Sequence, residues 1–129
     1  MIEKRVATSP KVPKPVAPYS PGIRVGELIF LAGQLGLDSS TGSLVPGGVE
    51  AETRQALLNM QNVLEAAGAT LENVVKTTVF LRDIGEFAKM NAVYGEFFTD
   101  KPPARSAFQV AALPLGAAVE IEAIAIADE

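Results

Sequence analysis

Apolar and small residues recur along this chain at two spacings, and the switch between them divides it into elements. From 49 to 67 they fall three and four apart, at Val49, Thr53, Ala56, Leu57, Met60, Val63, Leu64 and Ala67. That is one stripe of a helix, with Glu50 and Glu52 at its positive N-terminal end and Gly68 where a terminating glycine belongs. Phe87, Met90, Tyr94 and Phe97 form a shorter stripe. It predicts a second helix over 86–98, capped by Asp83 or Gly85 and stopped by Pro102 and Pro103, with Tyr94, Phe97 and Phe98 as core. Between the helices, 73–82 alternates: Val75, Thr77, Val79 and Leu81 stand against Lys76, Thr78 and Phe80, the period of a strand. Two more strands follow at 105–112 and 119–127, joined by LPLGAA.

The first third is less periodic. IEKRVAT predicts a short strand at a sheet edge. KVPKPVAPYSPG is a stiff proline-rich loop that can hold Tyr19 in place. GIRVGELIFLAG is two strands about Gly26 or one bent strand, and GQLGLDSSTGSLVPGG is rich in turn residues. The order predicts one α+β domain over 1–129, with a mixed sheet and both helices on one face. Both faces of the strands are substantially apolar, yet two helices cover only one. The bare face predicts a homo-oligomer.

Composition then removes chemistry. The 129 residues contain no histidine and no cysteine. That excludes a thiol nucleophile, an imidazole base and a zinc–thiolate site. Eleven basic against fifteen acidic residues leave a net charge of −4, which opposes broad attraction to nucleic acid. No apolar run reaches the roughly 20 residues of a membrane span. The start has no secretory pattern; Lys4, Arg5, Lys11 and Lys14 read as a solvated basic arm, or else as part of a mitochondrial presequence. The expected location is cytoplasmic.

Three charges on the last two strands need a reason. Arg105 follows two prolines, and its paired donors match a carboxylate. Glu120 shares a strand face with Glu122, Ile124 and Ile126, where a raised pKa would suit it to hold a water. The plainer alternative is a solvated Glu122 and an Arg105 in a surface ion pair. A simple hairpin about LPLGAA would set Glu120 opposite a residue near Val110, far along the strand from Arg105. A shared site would then need another strand order or a neighbouring subunit. Gly47-Gly48 lacks the Lys-Ser/Thr of a phosphate loop. Asp38, Ser39 and Ser40 lack a base at motif spacing.

FLAGQLGLDSSTGSLVPGGV, VVKTTVFLRDIGEFAKMNAVYGEFF and PPARSAFQVAALPLGAAVEIEAIAI together resemble the Rid family, the reactive intermediate deaminases also called YjgF. The likeness runs from about Ser9 to Ala127. It implies a chorismate-mutase-like fold with a mixed six-stranded sheet and two helices on one face. It also implies a homotrimer with three sites between subunits, and the final strand inserted between others. The implied activity is hydrolysis of 2-aminoacrylate and 2-aminocrotonate, through their imines, to 2-oxo acids and ammonia, with no cofactor or metal. By position, Arg105 would clamp the substrate carboxylate, the Ala107 carbonyl would accept from the imine nitrogen, and Glu120 would orient water. Tyr19 and Asn91 would line the pocket, and Gly33 would add a backbone contact. At Ala32, where relatives often carry Ser, a hydroxyl is missing from the pocket; Ala107 stands where many have Cys, and Pro21 where Gln is usual. Other members of the family are described as ribonucleases or translation inhibitors. The competing readings are therefore RNA binding by Lys4, Arg5, Lys11, Lys14 and Arg24, or a ligand-binding or chaperone-like trimer without turnover.

Overall fold

The computed structural model describes residues 2–128. Six strands and two helices follow in the order β1 (Arg5–Ala7), β2 (Gly22–Val25), β3 (Leu28–Leu35), α1 (Gly48–Ala66), β4 (Val74–Leu81), α2 (Phe87–Phe97), β5 (Ala104–Gln109) and β6 (Val119–Ile126). The element types match the periodicity, and GIRVGELIFLAG resolves into two strands around Gly26, whose φ of 60° suits a residue without Cβ. Asp83 accepts from the Gly85 N–H and caps a 3₁₀ turn at Ile84–Glu86, which leads into α2. Gly68 has a φ of 83° beyond the end of α1, as a terminating glycine should.

The sheet runs β1-β2-β3-β6-β4-β5. Only β4 and β5 are parallel, joined by the α2 crossover; the other neighbours are antiparallel. β6 enters between β3 and β4, so the simple hairpin of β5 with β6 does not form: β4 lies between them. The link of 110–118 is long enough to step over that strand, and Arg82 holds it by donating to the Gly116 carbonyl (2.8 Å).

Both helices lie on one face. Leu57, Met60, Val63 and Leu64 of α1 are wholly buried with Ile29, Val79, Leu81 and Ile121 of the strands and Met90 of α2. Each such side chain stabilises the fold by about 1.5–3 kcal/mol. The Arg54–Glu96 pair (3.0 Å) ties α1 to α2 at the surface. Among the described residues, no helix covers the opposite sheet face. Leu28, Phe30, Phe108, Ile124 and Ile126 are exposed on it by 36–46%. Among the described residues, no helix is long and apolar enough to cross a membrane.

Candidate active site

Arg105 lies on the edge strand β5, three positions after the Pro102 turn, and its side chain leaves on the helix-covered side. Its register partner on β4 is Thr77, which is wholly buried. Arg105 Nη1 donates to Asn91 Oδ1 (2.7 Å), and its guanidinium carbon stands 4.7 Å from the Tyr94 ring centre and 5.5 Å from that of Phe87. Phe87, Asn91 and Tyr94 follow at i, i+4 and i+7, so one face of α2 supplies all three partners. Behind the ring, the Tyr94 and Thr77 hydroxyls are 2.7 Å apart. Burial pushes the Tyr94 phenol pKa upward, against the opposing pull of the Thr77 hydrogen bond and the Arg105 charge. Among the described residues, no carboxylate pairs with Arg105. A half-buried guanidinium held by two rings and one neutral amide keeps donors for an anion; among the described residues the surface ion pair does not form.

Ala107 continues the same side of β5 and packs against the core. The Val110 N–H donates inward to the Leu81 carbonyl (2.9 Å). By alternation, Arg105, Ala107 and Gln109 turn their backbone groups outward along the sheet edge, so the Ala107 carbonyl faces away from β4. The Gln109 side chain accepts from the Ile84 N–H (2.9 Å) and fixes the far end of β5 to the turn before α2.

Glu120 occupies the other face. Its neighbours in register are Phe80 on β4 and Leu35 on β3. The β3–β6 ladder breaks between Leu31 and Gln34, leaving Ala32 and Gly33 in a bulge. A Cβ at Gly33 would overlap the Glu120 carboxylate, so the glycine makes the space that the acid fills. The Ala32 N–H donates to the Pro21 carbonyl (2.9 Å), which hangs the proline-rich loop on the bulge. Tyr19, 52% exposed, sits two residues before that anchor. Burial raises the Glu120 pKa first, and the charge of Glu122 raises it further. Glu122 itself is exposed.

The predicted residues thus form two groups: Asn91, Arg105 and Ala107 at the β5 edge, and Tyr19, Ala32, Gly33 and Glu120 around the β3 bulge. A single chain does not unite them. Two strand spacings and three residues along β4 separate the Cα atoms of Arg105 and Glu120 by about 14 Å, with the side chains on opposite faces. A concavity of about 350 Å³ lined by Leu71, Phe97, Phe98, Lys101 and Pro103 contains none of them. No three acidic side chains converge as metal ligands among the described residues.

Two sequence expectations change. Phe87, the first residue of the predicted stripe, is 37% exposed and faces Arg105, and Tyr94, expected as core, serves both the core and Arg105. Their i, i+4, i+7 spacing with Asn91 was the available signal, but an apolar stripe alone reads as packing. Arg24 does not belong to a free basic surface. Its guanidinium donates to the carbonyls of Gly26 (2.8 Å), Ala67 (2.6 Å) and Asp128 (2.8 Å), joining the β2–β3 turn, the end of α1 and the chain beyond β6.

The family described as endoribonuclease L-PSP matches residues 9–127. A mouse (Mus musculus) protein named 2-iminobutanoate/2-iminopropanoate deaminase is 50% identical over 125 residues, covering 97% of this chain and 93% of its own. Among solved structures, RidA from an Antarctic Psychrobacter bacterium is 40% identical with a TM-score of 0.91, over 95% of this chain and 98% of its own. TdcF of E. coli, solved with bound serine, is 35% identical with a TM-score of 0.89, over 95% and 98%.

Proposed function

Since the chain belongs to the endoribonuclease L-PSP family, also called Rid or YjgF, we propose that it is a 2-iminobutanoate/2-iminopropanoate deaminase acting on the imines of 2-aminocrotonate and 2-aminoacrylate. The observation that carries this reading is Arg105, a half-buried cation with aromatic and amide partners and no acid among the described residues. Such a group is suited to a small planar carboxylate, which takes two parallel N–H donors. The mouse deaminase name and the serine in the TdcF structure, an amino acid of the same size class, support that ligand.

The two groups meet when the β5 edge of one protomer lies against the bulge face of another. The exposed Phe30, Phe108, Ile124 and Ile126 supply an apolar surface for that contact. We take the assembly to be a homotrimer of chorismate-mutase-like subunits with three such clefts, in the cytoplasm. Arg105 then anchors the carboxylate, and the outward Ala107 carbonyl accepts from the imine N–H. Tyr19 and Asn91 line the cleft, with the Ala32–Gly33 bulge as its floor. Glu120 takes a proton from water as the oxygen bonds to the imine carbon, and that proton passes to nitrogen. The hydroxyl proton of the resulting carbinolamine follows, the C–N bond breaks, and ammonia leaves a 2-oxo acid. A carboxyl with a raised pKa suits this relay, because it holds and releases a proton nearer neutrality. Imines hydrolyse readily, so placement and charge suffice without a cofactor.

The test is a dehydratase-coupled assay following 2-oxo acid and ammonia above the spontaneous rate. Wild-type protein should accelerate release; Arg105→Ala should lose two to three orders of magnitude, the range expected when a buried charge loses its partner. Full activity in Arg105→Ala would overturn the assignment.

A further inference from the structure

Phe87 is an unusual residue at its position. It opens α2, where it leaves over a third of its surface exposed and stands outside the buried core. Its ring nevertheless has a partner, the Arg105 guanidinium at 5.5 Å, which also lies 4.7 Å from the Tyr94 ring. We infer that Phe87 and Tyr94, with Thr77 behind Tyr94, are positioning residues that set the orientation of the Arg105 guanidinium for the substrate carboxylate. The inference rests on the deaminase reading above and adds residues that act through Arg105 rather than on substrate.

Arginine has a long, freely rotating stem, and ordering it on binding would weaken every carboxylate contact it makes. A ring attracts the cation to its face and blocks motion through that side. Asn91 takes one N–H, and the remaining donors lie at the rim of the planar group, where a carboxylate meets them in pairs. Thr77 completes the support from the sheet. It is the register partner of Arg105 on β4 and also bonds the Tyr94 hydroxyl at 2.7 Å. The same residue therefore locates the strand carrying the cation and the ring beneath it. Rotation of Tyr94 would leave a buried hydroxyl without its partner, a cost that keeps the ring in one orientation. Asn91, neutral like the rest of the set, orients the group without supplying a charge that would compete with substrate.

The test compares two ligands on the full-length protein by chemical-shift titration: 2-oxobutyrate, and its neutral amide, 2-oxobutanamide. Phe87→Leu should weaken 2-oxobutyrate about threefold and Tyr94→Leu about tenfold, the span of cation–π contacts from exposed to desolvated sites. Thr77→Val should weaken it about twofold. In each variant the amide should bind as it does to wild type, because only the carboxylate uses the oriented donors. Equal weakening of both ligands would mark a merely structural role and overturn the inference. So would unchanged 2-oxobutyrate binding in Phe87→Leu. Phe87 lies outside the core, so that variant decides the matter even where Tyr94→Leu fails to fold. Arg105→Ala separates the two readings: if it does not weaken 2-oxobutyrate, the clamp and its supports fall together. If it does while Phe87→Leu has no effect, only the positioning role falls.

Discussion

The helix-covered and bare faces of this sheet are made from the same strands, alternate residue by alternate residue, yet they treat charge in opposite ways. On the covered side, Arg105 is fully furnished: two rings, one amide and a buried hydroxyl pair behind them. On the bare side, Glu120 lies in a glycine-made gap beside Phe80, and no protein donor reaches its carboxylate among the described residues. The first arrangement is preorganised within one protomer. The second is bordered by apolar side chains that water alone would have to cover. A chain that orders its cation so thoroughly and leaves its acid on an unfinished surface fits a site assembled from two copies.

The largest expected effect comes from attacking the bare face. Phe30→Asp with Ile124→Asp places charge on two exposed apolar positions without entering the core. The protein should sediment as folded protomers, and deamination should fall to the spontaneous rate. Protomers with full turnover would show that one chain suffices.

Mixing sharpens the same contrast. Arg105→Ala and Glu120→Gln should each be nearly inactive alone; general acid–base groups commonly supply about 10²–10⁴ in rate. Co-expressed, they should form mixed oligomers with about a quarter of wild-type activity, since a random pairing joins one intact Arg105 to one intact Glu120 that often. No recovery would place both groups in the same protomer's site.

Gly33→Ala is a smaller intrusion. Its methyl occupies the position of the Glu120 carboxylate, so turnover should drop about tenfold while carboxylate binding by Arg105 changes little, a split visible as kcat against KM. A fall in KM performance alone would contradict this placement of Glu120.

The smallest effect is on stability, and its sign is opposite to the effect on activity. The folded-state pKa of Glu120 is raised above its ordinary value of 4.5 by burial and by Glu122. The native state therefore binds the proton more tightly than the unfolded chain does. This contribution is fully present below the ordinary value and is lost as pH rises through the folded pKa. Glu120→Gln removes the titration. Its melting temperature should exceed that of wild type by a few degrees near neutrality, with the gap closing as pH falls toward 4. A gap that widens in acid would mean that Glu120 is stabilised as the anion.

Much of this protein follows from local pattern. Backbone sterics impose periods of 3.6 and 2, so residues spaced like Leu57, Met60 and Leu64, or like Val119, Ile121 and Ala123, declare helix and strand within a few positions. The Arg105 and Glu120 stretch likewise carried the family signature in its residue types. What local pattern does not contain is which strands become neighbours. That is settled by long-range burial: β6 fits between β3 and β4 because its alternate residues complete the layer under α1. This insertion sets β4 between Arg105 and Glu120 and dismisses the hairpin. The same limit explains Phe87 and Gly33. A helical stripe cannot say that its first ring turns from the core to a cation on another strand. Nor does a lone glycine name the carboxylate that will occupy the space of its missing side chain. Those roles arise only when segments distant in sequence compete for the same volume, and the tertiary structure is the outcome of that competition.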